Sequence, residues 1–305
     1  MAAEPGADVD ETAYAALAAA VDDARWAFGT GFADPLAGVP TDVPDGVDGD
    51  ALAAYCVMLA DDALVFSHRL QEWITRLPEL EDEAAVANIG LDLLGQARRL
   101  LTRAGQVDGS GRTEDEFAFG RDPVAWRCVR LTELPIDDFA ALVLRVLVVT
   151  TWRAAVMSRL RSSADPVLAA IAEQSVKELD YHLEWAAGWV IRLGDGTEES
   201  HRRMQTAIEE TWRFVPEIFD DHPVERALPG VAVPSSAVRA GVDSAIDTVL
   251  AEATLARPAA LDDGSEHRAG LLAGRTGRDG GHTEFLSRML AEMQTVARAD
   301  PGARW

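Results

Sequence analysis

Apolar positions recur along this chain with a helical period and show no strand-like alternation. Leu52, Leu59, Phe66 and Trp73 return every seven residues, and Cys56, Ala63, Leu70 and Leu77 form a second seam beside them. Two adjacent seams sustained over this span predict one long helix packed against others. Asp50 is placed to cap it and Pro78 to end it. A second helix is predicted from about Glu81 to Arg103, with Val86, Ile89, Leu93, Ala97, Leu100 and Ala104 as its stripe. Glu81, Asp82 and Glu83 suit the positive end of its dipole. Gly90 and Gly95 weaken this helix, so both are expected to mark close helix–helix approach. A third helix, from about Pro135 to Ser163, is apolar nearly all round between Phe139 and Val149 and is expected at the buried centre. After the Asp165-Pro166 turn, a fourth helix runs to Leu193. Its stripe is Leu168, Ile171, Ser175, Leu179, His182, Ala186, Trp189 and Leu193. Gly194 suits the C′ position, and Thr197 caps a further helix to about Phe214. Two more helices are expected at about Pro234–Ala256 and His282–Ala299, and an Ala-rich one at Asp10–Phe28. The expected architecture is all-α: a bundle of four long core helices with accessory C-terminal helices. It fills a single domain, 51–305, behind a partly flexible N-terminal extension, 1–50, whose later part is dense in Gly, Pro and Asp.

Charge and composition narrow the partners. The formal net charge of −23 opposes binding to nucleic acid or to an anionic membrane. Lys177 is the only lysine, and with the many alanines this reads as composition bias. The two cysteines, Cys56 and Cys128, form no CxxC or CxxH spacing, which speaks against zinc and for reduced thiols in the cytoplasm. The N-terminus has no positive or apolar region of a signal peptide. The apolar run Phe139–Val149 is too short to cross a bilayer.

The bundle raises the question of a metal. A ferritin-like di-iron centre takes one Glu from each of two helices and a Glu-x-x-His pair from each of the other two. Here the first helix offers Asp62, bordering its apolar stripe, while Asp61 and His68 point away toward solvent. The second offers Asp92, which lies about 120° from the stripe centre, and no histidine. The third has no Asp or Glu between Phe139 and Ala164. The fourth offers Glu178 and His182, spaced i,i+4. His182 is expected to be a core histidine satisfied by Asp62 or Ser175. The only literal Glu-x-x-His, Glu198 to His201, falls in the first turn of a helix, where its acids complement the dipole. The sequence contains no GxSxG, phosphate-binding GxxxxGK[ST] or dinucleotide-binding GxGxxG motif.

Several stretches carry a resemblance. They are Leu59-Ala-Asp-Asp-Ala-Leu-Val-Phe-Ser-His-Arg-Leu-Gln-Glu-Trp73, Ala87-Asn-Ile-Gly-Leu-Asp-Leu-Leu-Gly-Gln-Ala-Arg98, the stretch Lys177–Thr197, the segment His282–Gln294 and the ending Pro301-Gly-Ala-Arg-Trp305. Over about residues 51–305 the chain resembles the C-subunit family (PaaC) of the bacterial ring-1,2-phenylacetyl-CoA epoxidases. The resemblance implies a ferritin-like, non-catalytic structural subunit of a multicomponent oxygenase. That complex epoxidises the aromatic ring of phenylacetyl-CoA in aerobic phenylacetate degradation. It implies a hetero-oligomer in which a ferritin-like catalytic subunit (PaaA-like) holds the di-iron and a separate reductase brings electrons from NADPH. This subunit would hold no metal, cofactor or catalytic residue. Asp62, Asp92, Glu178 and His182 would be relics or packing residues, and Tyr181 and Trp185 would lie on the outer face offered to the partner. The competing reading is a ferritin-like oxidase with a degenerate metal site of its own, built from Asp62, Glu178 and His182. The third helix, empty of carboxylates, weighs against it.

Overall fold

Asp48 starts the bundle. Its carboxylate accepts the Asp50 N–H at 3.0 Å and caps α1 (Gly49–Gln71). The cap is therefore Asp48, and Asp50 takes the first-turn position that favours an acid. The computed structural model describes residues 36–77, 79–258 and 275–300. Two compact units are distinguished, Met1–Gly38 and Val39–Trp305, and the elements below belong to the second. The helix expected at Asp10–Phe28 lies outside the described residues, as does Pro78.

α1 ends at Gln71, before the expected Pro78. Turns follow, with Thr75 in the left-handed region at φ 78°. Trp73 and Leu77 nevertheless stay buried, and the Trp73 indole N–H donates to the Ile136 carbonyl at 3.1 Å. The heptad seam thus outlasts the helix, because the turn continues to face the core. α2 (Leu80–Val107) returns along α1. Gly90 is the point of closest approach: the Ser67 hydroxyl donates to its carbonyl at 2.6 Å, and a Cβ there would lie 2.2 Å from Gln71 Nε2. Gly95 corrects the expectation, since a Cβ there would meet nothing within 4 Å.

The connection carries α3 (Glu114–Gly120), closed by a Thr113/Glu116 capping box, and α4 (Arg130–Glu133). α5 (Phe139–Leu160), capped by Asp138, is shorter at both ends than the expected Pro135–Ser163. It is the buried centre, with every residue from Leu142 to Arg153 buried. α5 is also long and apolar enough to cross a membrane, but 78% of its most apolar window is buried inside the protein. α6 (Pro166–Gly194) has Asp165 as N-cap and Pro166 in its first turn. Its stripe is buried from Leu168 to Ala186, whereas Trp189 and Leu193 are only half-buried and Val190 takes the core position. Gly194 is the last helical residue; Asp195 follows as the cap. A Cβ at Gly194 would stand 2.4 Å from the Ala253 carbonyl, so the glycine permits a close crossing.

The accessory part is α7 (Glu198–Trp212), α8 (Pro223–Arg226), α9 (Arg239–Glu252), α10 (Glu284–Met293) and α11 (Thr295–Ala299). Thr197 caps α7 as expected. The expected Pro234–Ala256 helix is a 3-10 turn, Ser235–Val238, leading into α9. The expected His282–Ala299 helix is α10 and α11. The α1/α2 hairpin packs against the α5/α6 hairpin, and α7 and α9 cover α5 and α6. Among the described residues there is no strand. The fold is an all-α, ferritin-like bundle.

Candidate functional site

The polar centre of the bundle is organised by a cation. Arg153 projects from α5, the helix without carboxylates, and is 2% exposed. Its Nε donates to Gln96 Oε1 on α2 at 2.7 Å, and its Nη1 to the Leu59 carbonyl on α1 at 3.0 Å. Gln96 Nε2 donates in turn to Glu178 Oε2 on α6 at 2.8 Å, and Gln174 Nε2 to the other oxygen at 3.1 Å. Arg153 and Gln96 together thus link all four core helices. Burial pulls the Arg153 guanidinium down to about 10, with Asp62 opposing that shift, so it remains a cation at neutral pH.

Asp62 faces a second cation. It accepts the Val129 N–H at 2.9 Å and Arg278 Nη2 at 2.7 Å. Burial raises its carboxyl above the ordinary value, while Arg278 and the Val129 N–H hold it back. Arg278 comes from the segment just before α10, and its Nη1 also donates to the Met58 and Arg127 carbonyls. His182 is fully buried, as expected, but its partner is neither Asp62 nor Ser175. His182 Nε2 lies 2.9 Å from Asp92 Oδ2, while the Ser175 hydroxyl donates back to the Ile171 carbonyl. Asp92 therefore reaches His182 from the edge of α2 despite its angle, and its own side chain stays 38% exposed.

Asp61 overturns its assignment to the surface. It is fully buried and accepts Arg121 Nη1 and the Arg127 N–H at 2.9 and 2.8 Å. The connection after α3 folds over the face of α1 that a helical wheel leaves to solvent. His68 is half-buried rather than exposed. Glu198 and His201 stay apart from the centre: Glu198 is exposed, and His201 Nδ1 lies 2.8 Å from the Gly194 carbonyl at the end of α6.

A di-iron centre does not fit these residues. α5 supplies a guanidinium, which has donors only and no lone pair for a metal. α2 supplies the Gln96 amide, and Gly95 stands three residues after Asp92, where the pattern calls for histidine. Asp62 is committed to Arg278 and Val129. Arg153 and Arg278 already provide the positive charge that metal ions would bring to the buried acids. Asp62, Glu178 and His182 do not gather into one donor set. Among the described residues, the one group of three or more His, Cys, Asp or Glu donors within 4.8 Å of one another is Cys128, Glu133 and His282, all buried. Two surface clefts, of about 480 Å³ around Trp126, Arg127 and Arg278 and about 300 Å³ around Gly194–His201, include none of Gln96, Arg153, Glu178 or His182 in their walls.

Sequence reasoning missed Arg153, Gln96, Asp61, Arg121, Arg278 and the Cys128–Glu133–His282 group. For Arg153 a signal existed: like Arg145, it lies on the most apolar helix of the chain, the one expected at the buried centre. For the others, apart from Cys128 and Glu133, the partners are far apart in sequence, and no ligand spacing connects them.

Residues 38–305 match the family described as phenylacetic acid catabolic protein (PaaA_PaaC), a match that begins ahead of the expected residue 51. The chain is similar to the C subunit of the 1,2-phenylacetyl-CoA epoxidase of Escherichia coli (strain K12). The two are 43% identical over 256 residues, which cover 83% of this chain and 99% of that protein. With most of its length matched on both counts, the chain belongs to the PaaA_PaaC family of phenylacetic acid catabolic proteins.

Proposed function

We propose that this chain is the non-catalytic, structural C subunit of an oxygenase complex that epoxidises phenylacetyl-CoA. In this reading it pairs with a ferritin-like subunit that holds the di-iron, and it carries no metal or cofactor at its bundle centre. The observation that supports it best is the Arg153–Gln96–Glu178 chain, which puts a cation and an amide where an oxidase would need ligands. The Escherichia coli relative is named as one subunit of an epoxidase, which agrees with a part in a hetero-oligomer. In this reading residues 1–37, which precede the family match, are an extension that the family does not require.

The test is co-expression with the ferritin-like partner subunit, followed by size-exclusion, metal analysis and turnover of phenylacetyl-CoA with the reductase and NADPH. The expected result is one complex, with iron assigned to the partner and well under one iron per chain in this subunit purified alone. An Arg153→Met complex that assembles should keep its turnover per folded complex. Stoichiometric di-iron bound by this chain, or two species that never associate, overturns the reading.

A further inference from the structure

We propose that His282 is held as an imidazolium in a buried clasp with Glu133, and that this charged clasp fastens the segment 275–293 to the bundle in a pH-dependent way. Both ring nitrogens face oxygen acceptors: Nδ1 lies 2.7 Å from Glu133 Oε2, and Nε2 lies 2.9 Å from the Trp126 carbonyl. Against a Glu133 carboxylate, a neutral imidazole, with its one N–H, would set a lone pair against one of these oxygens. The doubly protonated ring satisfies both. Glu133 meets donors on both oxygens: its Oε1 accepts the Thr283 N–H, and the Cys128 thiol lies 3.8 Å from Oε2. Glu133 is fully buried and the His282 side chain is 4% exposed, so the pair is screened little by solvent.

The groups around the pair favour the same state. Asp61 on α1 adds negative charge toward His282, and Arg121 balances that acid from the connection. Arg69 on α1 donates to the Glu133 backbone carbonyl at 3.0 Å. Burial, Glu133 and Asp61 push the Cys128 thiol well above its ordinary value, so it stays neutral. On His282 burial acts downward, but the hydrogen bond and charge of Glu133 and the Trp126 carbonyl outweigh it, and the net direction is up.

The clasp holds a strap. The same segment donates the Gly277 N–H to Glu217 Oε1 at 2.7 Å and brings Arg278 to Asp62. Releasing His282 therefore loosens the anchor of the cation that neutralises Asp62. For a histidine whose folded pKa is raised, the stabilisation is fully present below about 6.5, the ordinary value, and is lost as pH rises through the folded value. In that window a neutral ring leaves the Glu133 carboxylate buried without a cation.

A metal is the competing occupant of this place. Cys128 Sγ lies 3.9 Å from His282 Nδ1, and the three donors suit zinc if Nδ1 loses its proton and Cys128 becomes a thiolate. Proton and metal exclude each other at Nδ1, so one experiment separates them. The full-length chain, labelled with ¹⁵N-histidine, is titrated from pH 6 to 9 by NMR, with His282→Gln to assign the ring. Hydrogen exchange of α10 is followed in parallel, referenced to α5. The expected result is an imidazolium signal that persists as pH rises past about 6.5, the ordinary histidine value. Protection of α10 should fall by up to about tenfold per pH unit between the unfolded and folded pKa values. Should His282→Gln fail to fold, Cys128→Ser serves instead: it removes a metal donor and keeps the clasp, so the titration should be unchanged. A neutral His282 at pH 6.5, or α10 protection independent of pH, overturns the proposal. So does uptake of one zinc per chain that Cys128→Ser abolishes.

Discussion

Arg153 shows how a single side chain organises a buried polar centre. A guanidinium taken out of water costs several kcal/mol unless its donors are met, and here Gln96 and Leu59 meet two of them. Arg153→Ala leaves a cavity and takes a donor from acceptors on two helices, Gln96 Oε1 on α2 and the Leu59 carbonyl on α1. It should cost about 3–5 kcal/mol in urea unfolding, whereas Arg153→Met, apolar and of similar length, should cost clearly less. Equal stability of Arg153→Ala and the natural chain would contradict this account. His182→Ala should cost about 2–4 kcal/mol, near the lower end, because the abandoned Asp92 is 38% exposed and can turn to water. That loss should appear in the melting temperature, with turnover of the assembled complex falling only with the amount of folded subunit. Normal assembly and melting with epoxidation abolished would give His182 a chemical role. The thiols should be inert in the folded chain, since burial pushes Cys56 up to about 12 and Cys128 well above its ordinary range. Ellman's reagent should label both only after denaturation. At this scale the sequence showed which residues are buried on a stripe, such as His182, but not what they touch. Asp92 stood off its own stripe and still met His182, because an edge position on one helix can reach the facing stripe of its neighbour. Asp61 was misplaced because a helical wheel knows nothing of a connection that wraps the outer face.

Each core helix obeys local chemistry that the sequence displays. The seams of α1 and the stripes of α2 and α6 predicted the faces that are buried, and Thr197 and Pro166 marked true starts. Ends were less legible. The seam of α1 runs on through Trp73 and Leu77 although the helix stops at Gln71, since burial pattern and backbone conformation are separate properties. The two glycines of α2 make the distinction testable. Gly95→Ala adds a methyl group that meets nothing, so it should stabilise the chain by up to about 1 kcal/mol through helix propensity. Gly90→Ala brings a Cβ to 2.2 Å from Gln71 Nε2, and any propensity gain should be offset by displacing that side chain. Gly194→Ala meets the Ala253 backbone carbonyl at 2.4 Å, which cannot move aside as a side-chain tip can, and should destabilise the α6–α9 crossing most. Thermal unfolding of the three variants should rank them Gly95→Ala, Gly90→Ala, Gly194→Ala from most to least stable. Any other order would mean that the close contacts relax more easily than the packing suggests.

The whole molecule closes its own core and leaves apolar groups outside it. α2 and α6 lie side by side, and their outer faces carry Leu91, 40% exposed, and Tyr181, 53% exposed. Trp185, expected to share that role, is instead half-buried and donates its indole N–H to Asp82 at 3.2 Å, so its polar end is already satisfied within the chain. On the proposed reading, the ferritin-like partner covers part of this face, and an obligate contact between two bundles is large and apolar. A charge there should be tolerated by the isolated chain and resisted by the complex. Leu91→Arg combined with Tyr181→Glu should leave the melting temperature of this subunit nearly unchanged, because neither side chain belongs to the core. The same pair should weaken co-elution with the partner, by about tenfold or more in Kd if the face is central to the contact, since each loses apolar burial and introduces a desolvated charge. Raised salt should rescue little, because the loss is one of packing and desolvation rather than of long-range attraction. Unchanged association of this variant, measured against the natural pair at equal concentration, would move the contact to another face of the bundle.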